Sequence, residues 1–498
     1  MENPSSKDTK PKVQVFNSRK IFGNILSLGS SEIIARGIGF FGIAFLARRL
    51  GPEGFGIIGF ATAVYSYLNL AVTAGFSDIG AREVANHPKK AAETAVNLVV
   101  VRFILAIIIF SAVGLTIWLF DIKKNTELVV LLMSLSLFAL AIDTSWVYKG
   151  LERNHRVGIA LVLGQILYVG TLLLFVKDIN DVLIVPLAQF FGEMIAALLL
   201  FIPLLIPFYR VGGIKLNLNG GWEMLKSSSF WTISRLLRAI VYSFDVLLIG
   251  FWLGEREVGL YTAPYRICFL FVALAVAIYT SYLPSITRAF TQNIEQVGEI
   301  AGRSINLGAT FAAPMVVGGV ILAAPLLEFM FGAEYVEGAT AFRLLLLSIG
   351  FVFIYGGNHN LFIASGRTKT EMKIFLTAAV INIVLNLIFI KSYGINGAAA
   401  ITVLVEFLTL LMGFYVLYKS GFYLRVWQMI LPPVVASILM GLLLWAVNSF
   451  ESLFVSLAIG GISYLVFLLI FSGMIRGTPQ YRQQIPALAG TLMNRFRR

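Results

Sequence analysis

The residues able to do chemistry in this chain are few, and most are arginines in apolar surroundings. Arg36, Arg102, Arg235, Arg238, Arg266 and Arg343 fall inside apolar runs, as do Glu32, Asp143, Glu193, Asp245 and Glu406. An ionisable side chain at membrane depth is costly and is kept because it is paired or because it binds something. Arg235 and Arg238 are three apart, on one helix face, and Asp245 is two turns from Arg238. Two like charges side by side in hydrocarbon call for water or an anion, and the planar guanidinium fork suits phosphate. The competing account is an ion-pair network with neighbouring helices. Glu32 and Arg36 are four apart in the favourable acid-first order and can satisfy one another. Helical rise puts Arg238 about 15 Å in from its end of the run, near the midplane. Arg343 is about a turn inside its run and can snorkel.

The acids are candidates for ion coupling. Asp143, Glu193 and Glu406 have no base within four positions on their own runs. Asn382 and Asn386, with Thr402 and Glu406, offer oxygen ligands for Na+, or Glu406 takes a proton; Asp245 joins the same set. The alternative is polar packing between helices, about 0.6 kcal/mol per contact. His359, in Tyr355-Gly356-Gly357-Asn358-His359-Asn360, either lines a vestibule or bonds helix to helix. No cofactor is expected: Cys268 is the only cysteine, so no disulfide forms within the chain, and no phosphate-cradling GxxxxGK[ST] loop occurs.

The elements that must position these residues are membrane helices. The 498 residues are 58% hydrophobic and 13% charged, with a mean hydropathy of +0.84, whereas a soluble chain carries roughly 25% charged residues. Fourteen runs are long enough to span a bilayer: 21–47, 55–75, 93–119, 126–149, 157–176, 182–209, 228–253, 258–287, 299–324, 338–364, 371–391, 397–418, 428–448 and 453–474. They are too long for barrel strands. With the N-terminus inside, 26 of the 39 Lys and Arg fall at the cytoplasmic ends and 7 at the outer ends, which orients both termini to the cytoplasm. The polar start, MENPSSKDTKPKVQVFNSRK, does not read as a cleaved signal peptide. The net charge of +13 is accounted for by loops beside anionic lipid and not by nucleic acid.

An internal repeat arranges the runs. Leu50-Gly51-Pro52-Glu53-Gly54-Phe55-Gly56 and Leu253-Gly254-Glu255-Arg256-Glu257-Val258-Gly259 share the pattern L-G-x-x-x-apolar-G at an offset of 203. A second pair matches Gly150-Leu151-Glu152-Arg153 with Gly366-Arg367-Thr368-Lys369. Six runs separate the copies, so both halves enter the membrane the same way, as in a two-lobed transporter with its substrate between the lobes. The expected fold is all-α: a tail 1–20, a lobe 21–209, a linker 210–227, a second lobe 228–418, two further helices in 428–474 and a tail 475–498. At the 203-residue offset Arg36 and Arg238 overlay within one position, so both lobes present arginine to one cavity.

Ser30-Ser31-Glu32 through Ala47-Arg48-Arg49-Leu50-Gly51-Pro52-Glu53-Gly54-Phe55-Gly56 resembles the polysaccharide flippase families of the multidrug/oligosaccharidyl-lipid/polysaccharide exporter superfamily. So do Pro325 to Tyr335, Ala364-Ser365-Gly366-Arg367, and Tyr393-Gly394-Ile395-Asn396-Gly397-Ala398-Ala399, in the same order. The resemblance implies a protein of the cytoplasmic membrane, a transporter and not an enzyme, that flips polyprenyl-phosphate- or pyrophosphate-linked oligosaccharide by alternating access. It implies that Arg36, Arg235 and Arg238 face the phosphate and that the last two helices hold the polyprenyl tail; Arg102 and Arg266, by their place in apolar runs, are further headgroup candidates. The expected partners are that substrate, membrane lipids and enzymes of glycan assembly. An ion-coupled multidrug exporter of the same superfamily is the rival, though an arginine-bearing cavity repels cationic drugs. A membrane-embedded glycan polymerase or glycosyltransferase is the rival from another class, and the chain shows no large external loop to serve one.

Overall fold

The computed structural model describes residues 18–73, 76–119, 124–211, 217–227, 229–292, 295–422, 424, 426–447 and 452–474. The expected tails up to 17 and from 475, and linker residues 212–216, lie outside them. Among the described residues every regular element is a helix.

Helix α1 (Ser18–Thr73) runs for 56 residues and folds into two arms at Gly51, where φ is 65° and ψ 179°. Glycine takes that left-handed φ without steric cost, and Pro52 then opens the second arm, where its missing N–H loses no helical bond. After α2 (Phe76–Asn86) and α3 (Ala91–Leu119), the fourth crossing comes in three pieces: α4 (Lys124–Ser134), α5 (Ser136–Ile142) and α6 (Ser145–Gly150). The break at the third piece is chemical. Asp143 is extended, and its carboxylate accepts bonds from the Ser145 N–H at 3.0 Å and hydroxyl at 2.8 Å, capping α6.

Helices α7 (Asn154–Phe175) and α8 (Ile184–Val211) complete the first half, and α9 (Leu218–Ser227) leads across. The second half comprises α10 (Ser229–Trp252), α11 (Glu255–Gln292), α12 (Glu295–Ile321), α13 (Ala323–Phe331), α14 (Ala339–Ala364) and α15 (Thr368–Lys419). Helix α15 repeats the device of α1, bending at Gly394 with φ 59°. Helices α16 (Val426–Val447) and α17 (Leu453–Met474) pack on each other and on α12.

Among the described residues 11 helical segments are long and apolar enough to cross a membrane. Two of them are the bent α1 and α15, each supplying two arms, and α10 carries a shorter apolar stretch, Ser243–Trp252. The count is close to the fourteen expected crossings. Large apolar side chains such as Trp118, Trp427 and Trp445 stay exposed on the outside, as lipid contact requires.

The core divides in an informative way. One cluster joins both halves near the Gly51 and Gly254 turns, running from Leu46 and Phe55 through Ile249 and Tyr261 to Tyr335 and Phe342. At the opposite end each half has its own cluster, around Trp146 and Tyr148 in the first and around Phe362 and Ile374 in the second. The halves are therefore welded at the turn end and separately cored at the other.

Both repeats have a backbone cause. Gly51 and Gly254, 203 apart, share positive φ, 65° and 100°. In the second repeat the residues with positive φ are Glu152 and Gly366, and Arg153 and Arg367 start the next helices. The Arg153 N–H bonds the Tyr148 carbonyl and the Arg367 N–H bonds the Phe362 carbonyl, each at 2.8 Å. Geometry thus pairs Arg153 with Arg367, which corrects the Gly150–Gly366 register by two residues.

Candidate functional site

The first arm of α1 carries Arg36 with its side chain 61% exposed and 4.0 Å from Glu32, the (i, i+4) pair that the spacing allows. Gly39, Ile43 and Leu46 continue the same face, since steps of three and four stay aligned on a helix. These three line a cavity of about 340 Å³. Gln165 and Tyr168 of α7, Gln189 and Glu193 of α8, and Arg266 of α11 line it as well. Among the described residues, Arg266 is the one lining residue contributed by the second half.

Glycines set how closely the cavity walls approach. A methyl group on Gly39 would meet the Gln165 Nε2 at 2.8 Å, and one on Gly164 or Gly192 would meet the other's carbonyl oxygen at 2.7 or 2.6 Å. Helices α7 and α8 thus cross with their backbones nearly touching. Glu193 is held by two bonds, one from the Tyr65 hydroxyl to Oε2 at 3.2 Å and one from Gln189 Nε2 to Oε1 at 2.9 Å.

Arg102 goes elsewhere. It is 1% exposed inside the first half, in electrostatic contact with Asp143. Asp143 in turn lies within electrostatic range of Glu193. Arg343 donates Nε–H to the Val320 carbonyl at 3.2 Å. Arg235 and Arg238 lie on α10, and their side chains lie outside the described residues.

A second polar cluster lies in the other half, where α10 packs on α11 and both arms of α15. Asp245 is fully buried; it accepts the Tyr261 hydroxyl at 2.5 Å and the Val246 N–H at 2.8 Å, while the Thr402 hydroxyl donates to the Ala398 carbonyl at 3.1 Å. Asn382 and Asn386, also fully buried, are joined by an Nδ2–H of Asn386 to Oδ1 of Asn382 at 3.1 Å. The remaining oxygen of Asn386 and the remaining amide nitrogen of Asn382 have no hydrogen-bond partner among the described residues. Glu406 is buried one turn beyond Thr402.

Sequence reasoning missed one pairing here. His359 Nδ1 lies 2.6 Å from Glu371 Oε1, which also accepts the Tyr355 hydroxyl at 3.2 Å. Glu371 is the first residue of the run 371–391, and no spacing rule links it to His359 across a turn. Gln165, Tyr168 and Gln189 were missed because neutral polar residues inside apolar runs give no charge signal.

A family model described as polysaccharide biosynthesis protein matches residues 21–290, more than half of the chain. The chain belongs to that family. Membership places it in the multidrug/oligosaccharidyl-lipid/polysaccharide exporter superfamily of transporters, and a second model, MatE, matches residues 231–388. The probable low-salt glycan biosynthesis flippase of Haloferax volcanii is 22% identical over 469 residues, covering 90% of this chain and 95% of that protein. The putative O-antigen transporter of Escherichia coli K12 is 22% identical over 285 residues, covering 56% of this chain and 68% of that protein. Among solved structures, the lipid II flippase MurJ in an inward closed conformation superposes with a TM-score of 0.74 at 17% identity, covering 90% of this family member and 99% of MurJ. That likeness is one of fold.

Proposed function

We propose that the protein flips a polyprenyl-phosphate- or pyrophosphate-linked oligosaccharide across the cytoplasmic membrane by alternating access. The observation that carries this reading is the face of α1 on which exposed Arg36 leads directly into the cavity lined by Gly39, Ile43 and Leu46. An anionic headgroup entering between the separately cored ends of the halves meets Arg36 first, with Arg235 and Arg238 on α10, a helix that packs against α1. The termini and the separately cored end then lie on the cytoplasmic side. The family and the names of its relatives, flippases and O-antigen transporters, support a lipid-linked glycan as cargo.

The tail has a place to go. An apolar groove of about 870 Å³ runs between α16 and the α14–α15 pair, lined by Phe351, Phe407, Leu411, Phe414, Trp427 and Val434. Its chemistry fits an isoprenoid chain kept in hydrocarbon while the headgroup crosses. For coupling, the same reading assigns Asp245 with Thr402, Asn382 and Asn386, whose oxygens suit a hard cation such as Na+.

The test is accumulation of lipid-linked oligosaccharide on the cytoplasmic leaflet in a deletion strain. Complementation by the wild-type chain and failure by Arg36→Ala, or by Arg235→Ala with Arg238→Ala, at equal expression is the expected result. Full complementation by all of these variants would remove the arginines from the reading.

A further inference from the structure

We infer that the cavity between α1, α7 and α8 receives the first sugar of the lipid-linked glycan, a neutral pyranose. This rests on the flippase reading and adds to it a glycan-binding site with named residues. The cavity, at about 340 Å³, sits within the usual span of small-molecule pockets, about 300–1,000 Å³.

Its lining is unlike that of a membrane core. Thr62, Gln165, Tyr168, Gln189, Glu193 and Arg266 all border it. Side-chain amides, a carboxylate and a guanidinium are the groups that bond ring hydroxyls, donating and accepting at close spacing. Glu193 accepts one bond from Tyr65 on Oε2 and one from Gln189 on Oε1, which leaves lone pairs on both oxygens for hydroxyl donors. Among the described lining residues one is an acid, Glu193, and one a base, Arg266, each acting on Tyr168; their formal charges sum to zero, which suits a neutral sugar. The Tyr168 ring and Phe55 supply apolar surface for the C–H face of the ring.

Placement ties the cavity to the phosphate. Gly39 lies three residues beyond Arg36 on one face, about 4.5 Å along the axis. A phosphate held at Arg36 therefore sets the next group, the sugar, at the mouth of the cavity. A side chain at Gly39 would press on Gln165 in the cavity wall, while Gly164 and Gly192 let α7 and α8 cross closely behind it.

The site also reports on conformation. Among the described lining residues, Arg266 comes from the second half and the others from the first. A sugar bonded to both Gln165 and Arg266 is bound best at one setting of the halves, so its presence shifts their equilibrium. A bare lipid phosphate lacks that lever.

The experiment uses the full chain in nanodiscs and short-chain prenyl pyrophosphates, either bare or carrying glucose, galactose or N-acetylglucosamine. The expected result is that at least one glycosylated probe binds about tenfold more tightly than the bare one. Gln165→Ala and Gln189→Ala each bring it to within about twofold and leave binding of the bare probe unchanged. Thr62→Val, on the α1 wall, serves as a second variant should either glutamine variant lose its thermal transition. A bare probe that binds as well as every glycosylated one overturns the sugar site and leaves the phosphate reading standing. A preference that survives all three substitutions also overturns it. Binding of no probe, bare or glycosylated, overturns both.

Discussion

Gly56 and Gly259 face each other's helices as symmetry mates, 203 residues apart, where the two halves meet. A methyl on Gly56 would collide with the Glu255 carbonyl oxygen, and one on Gly259 with the carbonyl oxygen of Pro52, itself 203 residues before Glu255. Each glycine of the repeated motif thus makes room for the other copy's backbone. Gly56→Ala or Gly259→Ala disfavours the turn-end contact by about 1–3 kcal/mol, the usual cost of overpacking. The expected outcome is a shift toward a conformation open at the turns and a loss of flipping. Spin labels at Lys177 and Ala333, both exposed and in opposite halves, read it as a longer distance. An unchanged distance in both variants would sink the idea that these glycines close this end.

Asp245 is fully buried and tied to the Tyr261 hydroxyl and the Val246 N–H. Were it an ion-coupling group, Asp245→Asn would keep the shape and remove the charge, so turnover would lose its dependence on the ion gradient while binding of bare prenyl pyrophosphate persists. Flipping in proteoliposomes under imposed Na+ and proton gradients measures this and names the ion. Gradient dependence equal to wild type in Asp245→Asn would assign the residue to packing alone. Thr402→Val, which removes one hydroxyl, is expected to weaken the dependence in the same direction by less.

The helices were legible in the chain because hydropathy over some twenty residues is a strong local signal, and the Glu32–Arg36 pair because it needs one helix only. The bends were legible as L-G motifs, since the left-handed φ at Gly51 and Gly254 is a local requirement. Asp143-Thr144-Ser145 carries a capping pattern inside an apolar run, a break that was available to be read. What escaped was long-range. Arg102 meets Asp143 from another helix, His359 meets Glu371 across a turn, and the cavity is assembled from four helices around the absence of side chains at Gly39, Gly164 and Gly192. No spacing within one helix encodes such contacts.

His359 and Glu371 join α14 to α15, with the Tyr355 hydroxyl on the same carboxylate oxygen and the Tyr279 ring edge-on to the imidazole at 5.5 Å. The side chains are 18% and 8% exposed, so removal of one partner leaves the other largely dry. Glu371→Ala is expected to cost about 2 kcal/mol, since it leaves the imidazole and the Tyr355 hydroxyl without their acceptor. Tyr355→Phe, which removes one bond to the carboxylate, costs about 1 kcal/mol. Thermal unfolding of the detergent-solubilised chain ranks the two. A smaller loss for Glu371→Ala than for Tyr355→Phe would show that the imidazole contributes nothing to the joint.

Arg48 latches the turn end from the other side. Its Nε donates to the Met330 carbonyl at 3.2 Å and its Nη2 to the Phe329 carbonyl. These carbonyls belong to the last turn of α13, the negative end of that helix. The Tyr335 hydroxyl donates back to the Ala47 carbonyl at 3.0 Å, so the latch is bonded in both directions between the halves. Charged hydrogen bonds contribute about 1.5–3 kcal/mol, which makes Arg48→Ala worth roughly a tenfold or larger shift of the equilibrium toward opening at the turns. Arg48→Lys keeps the charge and loses the fork, so its shift should be intermediate. Cys268 is the one native cysteine and is buried, so cysteines placed at Lys177 and Ala333 are the accessible pair for distance measurement. A distribution in Arg48→Ala identical to wild type would show that the glycine contact alone holds this end shut, whereas a shift equal to that of Gly56→Ala would show that latch and glycines are one cooperative gate.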